Sequence, residues 1–269
     1  IKDFLRQKKL KKLKSTYLMN LKRELVGEYF HPNFNLHTAA TYRSSSSGGD
    51  TRGLNFQNLP IRNPEFAEAI RRNFIPRKGR VLAEIDFSQL EVRIAACYCK
   101  DPVLIKYIND PNSDMHRDSA MDLFLLSPEQ VDKKSTRDWA KNRFVFPSFY
   151  GSVWFQTAPN LWDGVLNGAK LPNSETTVKK HLRRQGIKEL GPSKQGADSV
   201  PGTFAHHVRQ CDKKLWERFK VYAQWKRDTW DRYLRDGYLQ SHTGFRMTWG
   251  KDGPLKRNDS GNYEIQGSA

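Results

Sequence analysis

The spacing of apolar positions changes several times along the chain, and each change predicts an element. From Lys2 to Val26 the spacing is helical. Leu10, Leu13, Tyr17, Leu18, Leu21 and Leu25 form one stripe, with Lys8, Lys9, Lys11, Lys12 and Lys22 on the opposite face. Phe34 to Tyr42 alternates as a strand does, and the Ser/Gly-rich stretch from Ser44 to Gly53 reads as a flexible loop. Asn55-Phe56-Gln57-Asn58 follows, and Pro60 bars a helix through that point. Its amide side chains either build a turn or reach bases and sugars.

The sharpest change of period lies in Val81–Ala96, VLAEIDFSQLEVRIAA. Val81, Leu82, Ala83 and Ile85 make a short apolar run suited to a strand covered on both faces, and Leu90, Ile94 and Cys97 then recur at helical spacing. Asp86 stands at the switch. Further helices are expected over His116–Phe124 and Ser135–Tyr150. Asn160–Thr203, rich in Gly, Pro, Asn and Ser, reads as an inserted subdomain or surface excursion. Phe204–Gly237 reads as one long helical region with Trp216, Phe219, Ala223, Trp230 and Leu234 on its buried face and Gly237 as its stop. A hairpin around Thr243-Gly244 is expected over Tyr238–Trp249, and no internal repeat is visible.

Composition adds the partner class. The 269 residues carry 46 Lys+Arg against 29 Asp+Glu, a formal charge of +17, and such a surplus points to a polyanion, most commonly nucleic acid. A membrane surface is the rival, but no apolar run approaches a membrane span and no signal peptide opens the chain, so no membrane association is expected. Cys97, Cys99 and Cys211 have spacings that suit neither a disulfide framework nor a structural zinc site, and His206-His207 with Cys211 lack a completing cluster. A reducing, cytoplasmic setting is the expectation. The chain opens on Ile1 and stops at Gln266-Gly-Ser-Ala269, which reads as a fragment.

Two segments can carry chemistry. A carboxylate at a strand-to-helix switch, as Asp86 would be, suits a hard cation such as Mg²⁺, although it can also simply start a helix. In Arg137-Asp-Trp-Ala-Lys141 two cations lie one helical turn apart, with Phe146 and Tyr150-Gly151 further along. Cations that grip a triphosphate, followed by aromatics that meet a base or sugar, form a nucleotide-binding face; an amphipathic helix with a basic side is the plainer alternative.

In combination and in this order, the two segments resemble the polymerase core of family A DNA polymerases, the bacterial DNA polymerase I type and its phage relatives. Asp86–Arg93, DFSQLEVR, is similar to their motif A, and Arg137–Gly151 to their motif B. Leu13-Lys-Ser-Thr-Tyr17, Thr41-Tyr-Arg43, Asn55-Phe-Gln-Asn-Leu-Pro60, Asp114-Met-His116 and Gln266-Gly-Ser-Ala269 add collinear matches, while Asn160–Thr203 has no recognisable counterpart. The resemblance implies an α+β right-hand polymerase core: a thumb-base helix over 1–30, the first part of the palm over 31–110, fingers over 111–236, and a return to the palm over 237–269.

The same resemblance implies template-directed nucleotidyl transfer from dNTPs to a primer 3′-hydroxyl by a two-metal mechanism, in a monomer. Asp86 would be one of two carboxylates on the two Mg²⁺ ions, with the Phe87 carbonyl near a metal. Arg137, Lys141 and His116 would serve the β- and γ-phosphates. Phe146 would stack on the incoming nucleotide, and Gln89, Glu91 and Tyr150 would line the same site. Lys14, Arg43, Asn55, Asn58, Asn262 and Gln266 would contact primer–template DNA. The family's motif C, with the second aspartate, would lie beyond Gln266.

Two positions stay open. Ser88-Gln-Leu-Glu91 has the form of a capping box, whereas the family's matching glutamate blocks a ribose 2′-hydroxyl. Lys141 and Phe146 are five residues apart where the family has four, a difference of about 100° on a regular helix. Either the helix widens near Pro147, or Val145 and Phe149 take the places of Phe146 and Tyr150. A single-subunit phage-type RNA polymerase and a DNA-binding module without catalysis are the alternative functions; Glu91 argues against the first, and Asp86, Lys141 and Glu91 together against the second.

Overall fold

The computed structural model describes residues 2–36, 44–47, 55–61, 63–172 and 174–248. They belong to two compact units, Ile1–Phe87 and Ser88–Ala269, whose boundary falls inside the stretch expected as palm.

In the first unit, α1 (Lys2–Lys12) continues through a π-helical turn (Leu13–Leu18) into α2 (Met19–Glu24). The Met19 amide donates to the Lys14 carbonyl, five residues back, and this wider turn shifts the apolar stripe. Leu13, Tyr17 and Leu21 pack with Ile70, whereas Leu10, Leu18 and Leu25, expected on the same face, are exposed. β1 (Leu25–Val26) pairs antiparallel with β2 (Tyr29–Phe30) through a turn in which Gly27 takes φ +62°. β3 (Asn33–Asn35) pairs with β4 (Ser45–Ser47), so part of the Ser-rich stretch is strand rather than flexible loop. The serine hydroxyls supply what composition hides: Phe56 N donates to Ser46 Oγ and Asn35 Nδ2 to Ser47 Oγ, each at 3.3 Å. The rest of the strand expected over Phe34–Tyr42 lies outside the described residues. α3 (Pro64–Arg71) starts at a capping Asn63 with Pro64 in its first turn. Phe30, Phe56 and Phe74 meet with ring centroids 5.2 to 5.9 Å apart.

The strand expected over Val81–Ile85 is absent. The segment is unpaired and exposed, Ile85 at 89% and Phe87 at 73%. An apolar run becomes a buried strand only where neighbouring strands and a covering layer meet it, and none of the described residues does so.

The second unit is helical: α4 (Leu90–Cys99), α5 (Pro102–Asn109), α6 (Met115–Phe124), α7 (Thr136–Ala140), α8 (Phe146–Phe149), α9 (Trp154–Trp162), α10 (Val178–Arg184), α11 (Phe204–Arg218) and α12 (Lys220–Asp236). α4 buries Val92, Ala96 and Cys99 and leaves Leu90, Ile94 and Cys97 exposed. Buried Asp101 caps α5 through the Val103 and Leu104 amides, and its other oxygen accepts from Tyr222 N at 3.0 Å, tying α5 to α12.

Asn160–Thr203 is not a surface excursion. Leu161, Trp162, Leu166, Leu171, Val178, Leu182 and Ile187 join Leu123, Phe124, Phe144, Val145, Phe204 and Val208 in one core. The expected long helix is two, because Phe219, at φ −111° and ψ 59°, breaks the chain direction between α11 and α12 and is itself fully buried. Leu234, expected on the buried face, is exposed. Gly237 ends α12 at φ +74°, and β5 (Leu239–Gln240) pairs with β6 (Arg246–Met247) across the turn at Gly244. A helical majority with small antiparallel ladders is the α+β class expected from the sequence.

Candidate active site

α7 does not run straight into α8. Lys141–Val145 forms a π-helical turn, and the Phe146 amide donates to the carbonyl of Lys141 itself, five residues back. Pro147 brings no backbone donor to this stretch, which weakens the regular ladder here. With one residue more per turn, residues five apart come into line. The Lys141 ammonium lies over the Phe146 ring at 5.3 Å from its centroid. Phe146 and Tyr150 are half-buried, while Val145 and Phe149, their rivals by spacing, are buried in the core. Gly151, buried and at φ +92°, turns the chain away directly after Tyr150. Half-buried Lys226 on α12 donates to the Ser148 carbonyl at 3.2 Å and so ties α12 to α8; desolvation pulls this lysine down to about 8.

α6 completes the cluster. His116, in its first turn, is buried and packs edge-on against Phe146, with centroids 5.5 Å apart and planes at 75°. Burial, with Arg137 and Lys141 adding to it against the opposing pull of Asp114, brings the imidazole down to about 4, so it is neutral at pH 7. Its Nδ1 is buried without a hydrogen-bond partner among the described residues. Arg137 Nε donates to Asp114 Oδ2 at 2.7 Å, and Asp114 Oδ1 caps α6 by accepting from His116 N and Arg117 N. Two cations, a neutral imidazole and an aromatic face therefore share one side of the second unit, a set able to hold a polyphosphate and the flat part of a nucleotide.

Asp86 and Phe87, both exposed, close the first unit. The Asp86 carboxylate and Phe87 carbonyl are hard oxygen donors of the kind Mg²⁺ takes. Among the described residues no three His, Cys, Asp or Glu side chains gather as a metal site, so these two would be part of a donor set.

Gln89 and Glu91 open the second unit, and here the capping box fails to form. α4 begins at Leu90 with Gln89 as its cap residue, in the left-handed conformation at φ 53° and ψ 44°, and no side chain caps the helix. The left-handed residue takes Ser88 off the cap position, and Glu91 is exposed. The Gln89 side-chain oxygen is buried without a hydrogen-bond partner among the described residues. In the first unit Lys14 and Asn58 are exposed, whereas the Asn55 side chain accepts from Gln57 N at 2.9 Å and builds the turn Phe56–Asn58. Arg43, Asn262 and Gln266 lie outside the described residues.

Comparison with known proteins decides the family. The family model described as DNA polymerase family A matches residues 1–171. The chain belongs to that family. Relatives include the thermostable DNA polymerase I of Thermus thermophilus, 37% identical over 150 residues (55% of this chain and 17% of that protein). The DNA polymerase I of Synechocystis is 39% identical over 126 residues, covering 46% and 12% respectively. The chain thus spans less than a fifth of these relatives. Its fold resembles the POL domain of Pol1 from M. smegmatis, described in complex with DNA primer-template and dNTP, with a TM-score of 0.64 at 23% identity over 98% of this chain and 39% of that one.

Asp114 is the member of this cluster that the sequence does not single out, since in Asp114-Met-His116 the histidine is the residue with nucleotide-binding chemistry of its own. The usable signal is an aspartate at the cap position of a helix whose second residue is itself a candidate site residue.

Proposed function

We propose that the protein containing this chain carries out template-directed DNA synthesis, joining dNTPs to a primer 3′-hydroxyl. The observation that carries the reading is the cluster of Arg137, Lys141, His116 and Phe146, in which the π turn aligns Lys141 with Phe146 and α6 supplies His116, in a family A member. Arg137 and Lys141 bind the β- and γ-phosphates, and His116 stands beside them as a neutral donor or acceptor. Phe146 packs on the nucleotide, and Tyr150 and Gln89 flank it. Glu91, not engaged in a cap, is left to exclude a ribose 2′-hydroxyl. Lys14, Arg43, Asn55, Asn58, Asn262 and Gln266 contact primer–template DNA, and the basic surplus supports that binding.

Asp86 and the Phe87 carbonyl hold Mg²⁺ together with a further carboxylate. The chemistry such ions supply when bound is activation of the 3′-hydroxyl and neutralisation of charge at the α-phosphorus. Primer–template and dNTP occupy the M. smegmatis relative of like fold, which supports the same partners here. The enzyme acts as a monomer.

The test is primer extension by the full-length protein, with dNTPs and with NTPs. Template-dependent extension with dNTPs alone is expected. Efficient extension with NTPs would favour an RNA polymerase, and DNA binding without extension a non-catalytic module.

A further inference from the structure

We propose that Asp114 is a positioning residue of the nucleotide site: its carboxylate fixes the Arg137 guanidinium so that the terminal nitrogens are left for phosphate, and it couples that orientation to the helix turn carrying His116. This rests on the nucleotide-site reading above.

The geometry is specific. One carboxylate oxygen of Asp114 accepts from the His116 and Arg117 amides at 3.0 and 3.1 Å, which locks the side chain onto the first turn of α6. The other accepts from Arg137 Nε at 2.7 Å, across 23 residues of chain. Nε is one of five guanidinium donors; Nη1 and Nη2 make no hydrogen bond among the described residues, and an anion takes that edge of the fork bidentately. A long side chain held at Nε loses less freedom when it grips a ligand than a swinging one does. Burial opposes the charge of Asp114, but the bonds from Arg137 and the Arg117 amide outweigh it and hold the carboxyl below its ordinary value. The carboxylate is therefore ionised at pH 7 and serves helix and arginine together.

Charge alone predicts the opposite of positioning. A carboxylate beside a triphosphate repels it, so simple removal of the charge should tighten nucleotide binding. Positioning predicts weaker binding.

The experiment compares Asp114→Asn and Asp114→Ser in the full-length protein, alone and combined with Arg137→Ala. Both substitutions keep a side chain that caps α6, so melting temperatures should stay near wild type, while the acceptor for Arg137 Nε is lost. Single-nucleotide incorporation should show the KM for dNTP raised by about tenfold with kcat little changed. On the Arg137→Ala background the same substitutions should add almost nothing, since the partner is gone. An unchanged or lower KM, or an equal loss on the Arg137→Ala background, would overturn the proposal. Arg137→Ala separates the two levels of inference. If it leaves KM for dNTP unchanged, the nucleotide-site reading itself fails. If it raises KM while the Asp114 variants do not, only the positioning role fails.

Discussion

Acid should weaken the second unit through His116, and the size of the effect follows from its surroundings. The imidazole is 4% exposed, lies edge-on to Phe146, and has an Nδ1 without a partner among the described residues. Desolvation is the largest cause of its low value, about 4 against an ordinary 6.5, followed by Arg137, with Lys141 in the same direction and Asp114 opposing. That difference corresponds to about 3 kcal/mol. The sign is set by the unfolded state, where the histidine binds its proton more readily. Stability from this group is intact above about pH 6.5, falls as the pH drops towards 4, and is flat below that.

The perturbation is His116→Phe, which keeps a ring against Phe146 and, with Nδ1 unpartnered, forfeits no hydrogen bond there. Urea unfolding from pH 4 to 8, read by tryptophan fluorescence, reports the right unit because all seven tryptophans follow Ser88. Wild type should lose about 3 kcal/mol more than the variant between pH 6.5 and 4. Asp114→Asn should move the imidazole lower still, since Asp114 is the larger of the two carboxylate charges, with Asp138, that support its protonation. Parallel curves for wild type and variant, or an NMR titration of His116 near 6.5, would refute the reasoning.

Asp86→Asn in the full-length protein should abolish primer extension and leave duplex binding nearly intact, because it removes metal charge and no phosphate contact; extension at a substantial fraction of the wild-type rate would exclude Asp86 from the metal site. Glu91→Ala should raise ribonucleotide relative to deoxyribonucleotide incorporation. Its melting temperature should not change, because the capping box that would cost about 1 kcal/mol to remove is not formed; a clear stability loss with sugar choice intact would reverse this. Lys141→Ala and Phe146→Ala should each raise the KM for dNTP, with Val145→Ala acting on stability instead, since Val145 is fully buried. A KM effect confined to Val145→Ala would reverse the alignment of motif B.

What the sequence determines by itself is what neighbouring residues dictate to one another. Helical spacing foretells α6 and the 136–149 segment, Gly237 the end of α12, and Thr243-Gly244 the last hairpin, because caps, periods and turn conformations act within a few residues. The π turn is legible for the same reason: a step of five positions from Lys141 to Phe146, with Pro147 beside them, leaves one local solution that aligns both. Tertiary structure decides whatever depends on partners distant in the chain. Ser88-Gln-Leu-Glu91 has the letters of a capping box, but the left-handed Gln89 moves the helix start past Ser88. Val81–Ile85 has the composition of a buried strand and stays exposed, because β pairing needs a neighbour that composition cannot supply. Asn160–Thr203 has the Gly and Pro content of a surface excursion, yet its scattered Leu, Val and Trp meet α6 and α11 in the core. The bond from Arg137 to Asp114 belongs to this second kind, since only the packing of α7 on α6 brings residues 23 apart to 2.7 Å.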